Sequence, residues 1–416
     1  MVKISEIRGQ ETFVAWLEEL PHEKAARVAV KAGLRLLPIF WLWALIGQER
    51  RSPFRGTRPT QWYLVNTLHL ALASQLNLVG TKSQNQRLLR GIAAIGANPK
   101  ENSPLMSQDS VAIGYGYSGP DPRVRPYQVG QAYVSAIEQY DFEFSELGIN
   151  LTDAPESVEI SLQTLSRDPR LHVEKWGFDD VAGRKWLWSR NQNPLEQVWL
   201  EVRHHTLMAK KEIEGGDRGL TDSDWSFWID WYQSLLDGRP MLGDADRTLE
   251  MLTKIALIDP EVWEQGPEAA NPVIRRIWEI YRLRTEVAAL QAEKAALVAA
   301  QASEARRGHN QPPEGLVDDA PEVAQQVTFI WDGLDDASKE LEKDVPDRAT
   351  LLRIGRKMQT ALEAALSYCA KVGDTVIVAG AKTLGAGGGA FLIDYVAMNG
   401  RLAQFIKYLI SFGLGG

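Results

Sequence analysis

Glu201 and His204 stand three residues apart in a stretch with helical spacing, and His205 adjoins them. That is the Glu-x-x-His spacing by which one helix offers a carboxylate and an imidazole to a metal. A di-metal site of this kind needs a second such pair and two further inward-facing glutamates. No second copy occurs, and one ligand pair cannot close a site, so the pair reads as an exposed polar helix face. The run Gly114-Tyr-Gly116-Tyr-Ser-Gly119 matches a dinucleotide fingerprint by letter. PDPRVRP follows it and cannot open the helix whose N-terminus would hold a pyrophosphate. Ala381-Lys382-Thr383 after Gly380 hints at a phosphate loop. Alanine precedes Lys382, and Val376 stands where the first glycine belongs, so the cradle of backbone N–H groups is missing. His69 falls on an apolar helical face and reads as a satisfied core histidine. Cys369 has no neighbouring histidine in sequence and lies on an apolar helix face, which fits a buried structural thiol. No Gly-x-Ser-x-Gly elbow is present. None of these constellations is complete, so the sequence predicts a non-enzymatic protein with no cofactor and no metal.

Composition narrows the field further. The chain has 416 residues, 44% hydrophobic and 24% charged, which excludes wholesale disorder and allows a sizeable core. A single cysteine excludes an internal disulfide and any multi-cysteine zinc site. The polar start MVKISEIRGQETF predicts no signal peptide, hence a cytoplasmic protein, with a peripheral place at the inner membrane as the variant. Fourteen tryptophans outnumber the 11 tyrosines and the 11 phenylalanines, which predicts a helical core built on aromatic anchors. The net charge of −8 hides an asymmetry: residues 1–100 hold 14 Lys and Arg against 6 acids, a net of +8, leaving −16 for the remainder. Arg50, Arg51, Arg55, Arg58, Arg87 and Arg90 are therefore candidates for an anionic partner, a nucleic acid or a phosphate-rich surface. The protein's own acidic part is the competing partner.

The elements that must position these residues read as helices. Phe13, Trp16, Leu17 and Leu20 share a face before Pro21. A second helix starts near His22, becomes apolar all round from Leu36 to Ile46, and is too short to span a bilayer. Residues 60–77 and 84–96 read as helix, 97–127 as a Gly/Pro/Ser/Asn-rich loop, and 128–147 as helix again. SVEISLQTL could be a short strand within the mixed stretch 148–193, and 194–213 returns to helix. At 221–240, Thr221 with Asp224 resembles a capping box, and Gly238 and Pro240 supply the stop. Residues 245–257 form another helix, and Asp259-Pro260 opens a short one ended by Gly266-Pro267. Asn271-Pro272 looks like an N-cap followed by proline at the first helical position.

From Pro272 no breaker occurs until about Arg307. Ile280, Leu283, Val287, Leu290 and Leu297 fall on a and d positions of a short heptad, with Lys294 and Gln301 as polar exceptions. The sequence offers this seam for self-association, with packing inside its own domain as the alternative. GHNQPPEGLVDDAP (308–321) reads as a linker, followed by two amphipathic helices at 322–344 and 348–371. The tail from Val372 is apolar and rich in glycine. Phe391, Leu392, Phe405, Ile406, Leu409, Ile410 and Phe412 beside Arg401 and Lys407 have the pattern of a surface-seeking helix. Such a face suits a membrane, contacted through residues 373–416, a neighbouring subunit, or the protein's own core.

Four stretches carry a resemblance: AGLRLLP (32–38), WSFWIDWYQSLLDGRP (225–240), VWEQGPEAANPVI (262–274) and GHNQPPE (308–314). Together they resemble a group of uncharacterised bacterial alpha-helical proteins that share this Trp-rich block and proline linker. The resemblance implies a bacterial origin and a module boundary at the linker. It transfers no site residue, and the Gly/Pro loop at 97–127 stands where the group has an alanine-rich middle.

The expected architecture is mostly α: a Trp-rich body at 1–307 ending in a long helix, the linker 308–321, and a small helical module at 322–416 with an apolar Gly-rich tail. The expected role is interaction, through self-association along the long helix and through the tail. Binding of nucleic acid or an anionic surface by the first hundred residues is the alternative, and an enzyme whose site assembles from distant residues is the second alternative.

Overall fold

A computed structural model describes residues 60–77, 196–212, 224–305, 320–372 and 400–415, with single positions between Thr12 and Leu42. Among these residues 86% are helical and none is in a strand, a mostly-α fold. The helices are α1 (Thr60–Asn77), α2 (Glu196–Glu212), α3 (Ser226–Asp237), α4 (Ala245–Ala256), α5 (Pro260–Glu264), α6 (Pro267–Ala305), α7 (Ala320–Leu341), α8 (Arg348–Val372) and α9 (Arg401–Leu414). The segments expected at 84–96, 97–127, 128–147 and 148–193, and most of the linker, lie outside the described residues.

The chain forms two compact units, Met1–Ile277 and Trp278–Gly416. The division falls inside α6, whereas the sequence reading put the boundary after residue 307. Its physical cause is the apolar face of α6 from Ile280 to Leu290, which belongs to the core of the second unit.

Two helix starts differ from expectation. α3 begins at Ser226, and Asp224 accepts the Ser226 backbone N–H at 2.9 Å; Thr221 lies outside the described residues. Gly238 ends α3 in the left-handed region at φ 67°, its N–H returning to the Ser234 carbonyl. Pro267, not Pro272, opens α6, because Gly266 at φ 96° breaks the chain there and its carbonyl accepts from Ala269 and Ala270. Pro272 lies within the helix, where it lacks the N–H for an i→i−4 bond. Asn271 is thereby free of capping duty, and its Oδ1 instead accepts the Trp228 indole N–H at 3.1 Å.

The first unit is organised on aromatic side chains. Trp228, Trp231 and Tyr232 of α3 are buried, with Trp41, Trp199 and Trp263 around them. Trp228 meets Trp231 edge-on at 5.7 Å, and Trp41 meets Trp199 at the same distance. A buried indole also needs an acceptor. Trp231 finds Gln75 at 3.1 Å, Trp199 finds Gln233 at 2.9 Å and Trp263 finds the Ile258 carbonyl at 3.2 Å. The Trp41 and Trp225 indole nitrogens are buried without one.

In the second unit, the C-terminal part of α6 shares one apolar core with α7, α8 and α9. Two glycines allow α8 and α9 to approach closely. A Cβ at Gly355 would stand 2.8 Å from Ile410 Cγ1, and one at Gly413 would stand 2.6 Å from Leu352 Cβ and 2.9 Å from its Cα. Polar ties fix the helix ends. Arg284 of α6 donates to the Leu341 and Lys343 carbonyls at 2.7 and 3.1 Å, satisfying the open C-terminus of α7. Asp347 caps α8 by accepting the Thr350 N–H at 3.0 Å. Arg401 at the start of α9 bridges Glu286 at 3.1 Å and Glu293 at 2.5 Å, both on α6.

Candidate functional site

The residues with chemical spacing do not assemble into a reacting centre among the described residues. Glu201 and His204 stand on α2, and no group of three His, Cys, Asp or Glu could hold a metal ion among the residues described. The GYGYSG and Ala381-Lys382-Thr383 runs lie outside the description, and Cys369 lies on α8 with its side chain outside it.

Among the described residues, His69 is the titratable group with the largest perturbation. Its ring lies flat on Trp263, centroids 3.8 Å apart and planes within 4°. Nε2 donates to the Ala256 carbonyl at 3.0 Å, one of the last carbonyls of α4. Burial lowers its pKa from 6.5 to about 4, against the opposing pull of that carbonyl. The ring is thus neutral at pH 7, 3% exposed and committed to holding α1 to α4. It is a core histidine, as the sequence reading expected, but only half satisfied: Nδ1 is buried without a hydrogen-bond partner.

The residues offered for self-association are occupied internally. Ile280, Leu283, Val287 and Leu290 are buried against α7, α8 and α9; Leu297 lies on α6 with its side chain outside the description. The polar exception Lys294 belongs to the same packing, lying 5.1 Å over the Trp331 ring and pairing with Asp335 at 3.4 Å. The tail residues follow the same pattern. Phe405, Ile406, Leu409 and Phe412 are buried in the second core and Ile410 packs against it, while Phe391 and Leu392 lie outside the described residues. The face expected to seek a membrane or a subunit is therefore docked, because α6 and α8 offer an apolar surface within the same unit. No helix among the described residues is long and apolar enough to cross a membrane. Arg50, Arg51, Arg55, Arg58, Arg87 and Arg90 lie outside the described residues.

Among the described residues of the second unit, a groove of about 830 Å³ runs along α7 and α8. Phe329 stands on the α7 bank, 52% exposed. Gly333 lets the two helices close over Met358, where an added Cβ would come within 2.5 Å of Met358 Cγ. Asp332, Asp336 and, nearer the hairpin turn, Lys339 line the α7 bank, and Arg353, Arg356 and Lys357 line the α8 bank. All six are exposed, and no ion pair forms among them. The closed end is more ordered electrostatically. Glu340 is buried, accepts from Lys343 at 2.6 Å and from the Asp347 N–H at 2.8 Å, and those bonds, Lys343 first, hold its carboxyl below the usual range. Bonds from Thr350 lower Asp347 likewise.

Sequence reasoning did not single out these groove residues. Their signal was present as an outward stripe, Phe329-Asp332-Asp336 on one helix and Arg353-Arg356-Thr360 on the next, with i, i+3 and i, i+4 spacing. The chain matches no protein-family model, no curated protein and no solved structure.

Proposed function

We propose that this chain is a non-enzymatic interaction protein whose C-terminal unit is the docking module, with the α7–α8 groove as its working surface. The observation that carries this reading is the groove itself: an exposed phenylalanine beside two aspartates on one bank and three basic side chains on the other that leave each other unpaired. Isolated surface charges contribute little to stability, so this arrangement adds little to the fold. An apolar anchor in a charged rim is what a partner surface requires. The apolar faces of α6 and α9 supply the rigid bundle behind it.

The test places a photo-crosslinking amino acid at position 329 of the full chain, and separately at Leu257, an exposed control site in the first unit. The experiment is run in the cells from which the protein comes. A discrete covalent adduct at 329 that is absent at 257 supports the reading. No adduct at 329, or the same adducts at both sites, overturns it.

A further inference from the structure

We infer that the occupant of the α7–α8 groove is the same groove on a second copy of this chain. The inference rests on the docking reading above and names its partner. α7 and α8 run antiparallel, and Gly333 lies opposite Met358. Counting about 1.5 Å of rise per residue from that pair, Asp332 and Asp336 lie at nearly the same height as Lys357 and Arg356. Arg353 lies about one helical turn or less beyond. The two aspartates of one bank and the three cations of the other thus lie at one level without pairing.

A two-fold axis parallel to the hairpin keeps every height and exchanges the banks. It sets α7 of each copy over α8 of the other, antiparallel, so that four helices pack together. Asp332 and Asp336 of each copy then meet Arg353, Arg356 and Lys357 of the other, twice over. Phe329 arrives at the height of Thr360 and Ala361 of the second copy, a large side chain against small ones, and both of those residues line the groove. Asp332 and Asp336 are therefore complementary to the three cations across the axis, and Phe329 is complementary in size, while Lys339, near the height of Arg353, lies at the margin of the contact toward the hairpin turn. This contact does not use Ile280, Leu283, Val287 or Leu290, which stay in the core of each copy.

Two charge-swapped full-length variants test it. The first carries Asp332→Lys and Asp336→Lys, which makes both banks basic. The second carries Arg353→Asp, Arg356→Asp and Lys357→Asp, which sets carboxylates against Asp332 and Asp336 across the axis. Light scattering and sedimentation measure mass at micromolar concentration, and circular dichroism measures helix content. The expected result is a wild-type mass of two chains, with the dissociation constant raised at least about tenfold in either variant alone. An equimolar mixture of the two variants should restore the two-chain mass, a rescue that misfolded proteins would not give. A wild-type chain that stays monomeric overturns the inference, as does a dimer that both variants keep, or a mixture that fails to reassociate. The adduct at position 329 separates this failure from that of the docking reading. An adduct heavier by something other than this chain leaves a docking groove and removes the second copy as its occupant, whereas no adduct removes both.

Discussion

His69 makes the stability of the first unit depend on pH, and the size of the effect follows from its burial. The folded ring has a pKa of about 4, and in the unfolded chain it returns to 6.5. The unfolded state therefore binds more protons across that window, so stability is complete above about pH 6.5 and falls as the pH drops toward about 4. A difference of this size corresponds to about 3 kcal/mol over the whole window. Between pH 7 and pH 5 the loss is about 2 kcal/mol, since the unfolded ring is then mostly protonated and the folded ring mostly neutral. The ring is 3% exposed, so little solvent screening reduces the figure. Urea unfolding followed by tryptophan emission measures it, because 12 of the 14 tryptophans precede Trp278. Carboxylates also titrate at the acid end, so the comparison is with His69→Gln, whose side-chain amide retains a donor for the Ala256 carbonyl. The wild type should lose about 2 kcal/mol more than the variant between pH 7 and pH 5, with an unchanged denaturant slope. Equal losses in the two proteins, or an imidazole NMR titration near 6.5, would refute the reasoning.

Three further outcomes follow from the packing. Gly413→Ala drives a methyl into the backbone of Leu352, and the net cost after the gain in helix propensity is about 1–2 kcal/mol. Gly333→Ala, which meets the flexible Met358 side chain, should cost less, so thermal melts that rank the two in the opposite order would contradict the close-approach account. Asn271→Leu strands the buried Trp228 indole N–H and should cost about 1–3 kcal/mol, and adding Trp228→Phe should recover part of that in a double-mutant cycle. Arg401→Met releases Glu286 and Glu293, and since Arg401 is 37% exposed the loss is about 0.5–1 kcal/mol, shrinking as salt rises. A loss independent of salt would show that the arginine acts through its packed stem.

Much of the helical order is legible in the residues. α1 coincides with the expected 60–77, α4 ends one residue before expectation, and the short helix at Asp259-Pro260 appears as α5 with Asp259 accepting the Glu261 N–H. These elements are written in local chemistry: an apolar period, a capping carboxylate, a proline with its fixed φ. The start of α6 was misplaced because two Pro dipeptides compete, and local rules cannot rank them. Gly266 decides it, since its positive φ breaks the chain before Pro267, and the Asn271 side chain is then claimed by Trp228, which lies 43 residues away.

An apolar stripe states that a face will be covered and carries no record of what covers it. The heptad on α6 and the face of α9 were each complete enough to suggest another chain or a membrane, and each is the other's neighbour in one core. The identity of the cover is carried by the polar residues at the margins. Arg401 is matched by Glu286 and Glu293 on α6, one heptad apart along the bank that receives α9. Lys294, an exception to the heptad, is matched by Asp335 and Trp331 of α7. Charges beside a buried seam that find partners inside the unit mark it as internal. The same criterion is what the proposed second copy rests on: Asp332 and Asp336 on one bank and Arg353, Arg356 and Lys357 on the other stand unpaired beside an exposed Phe329.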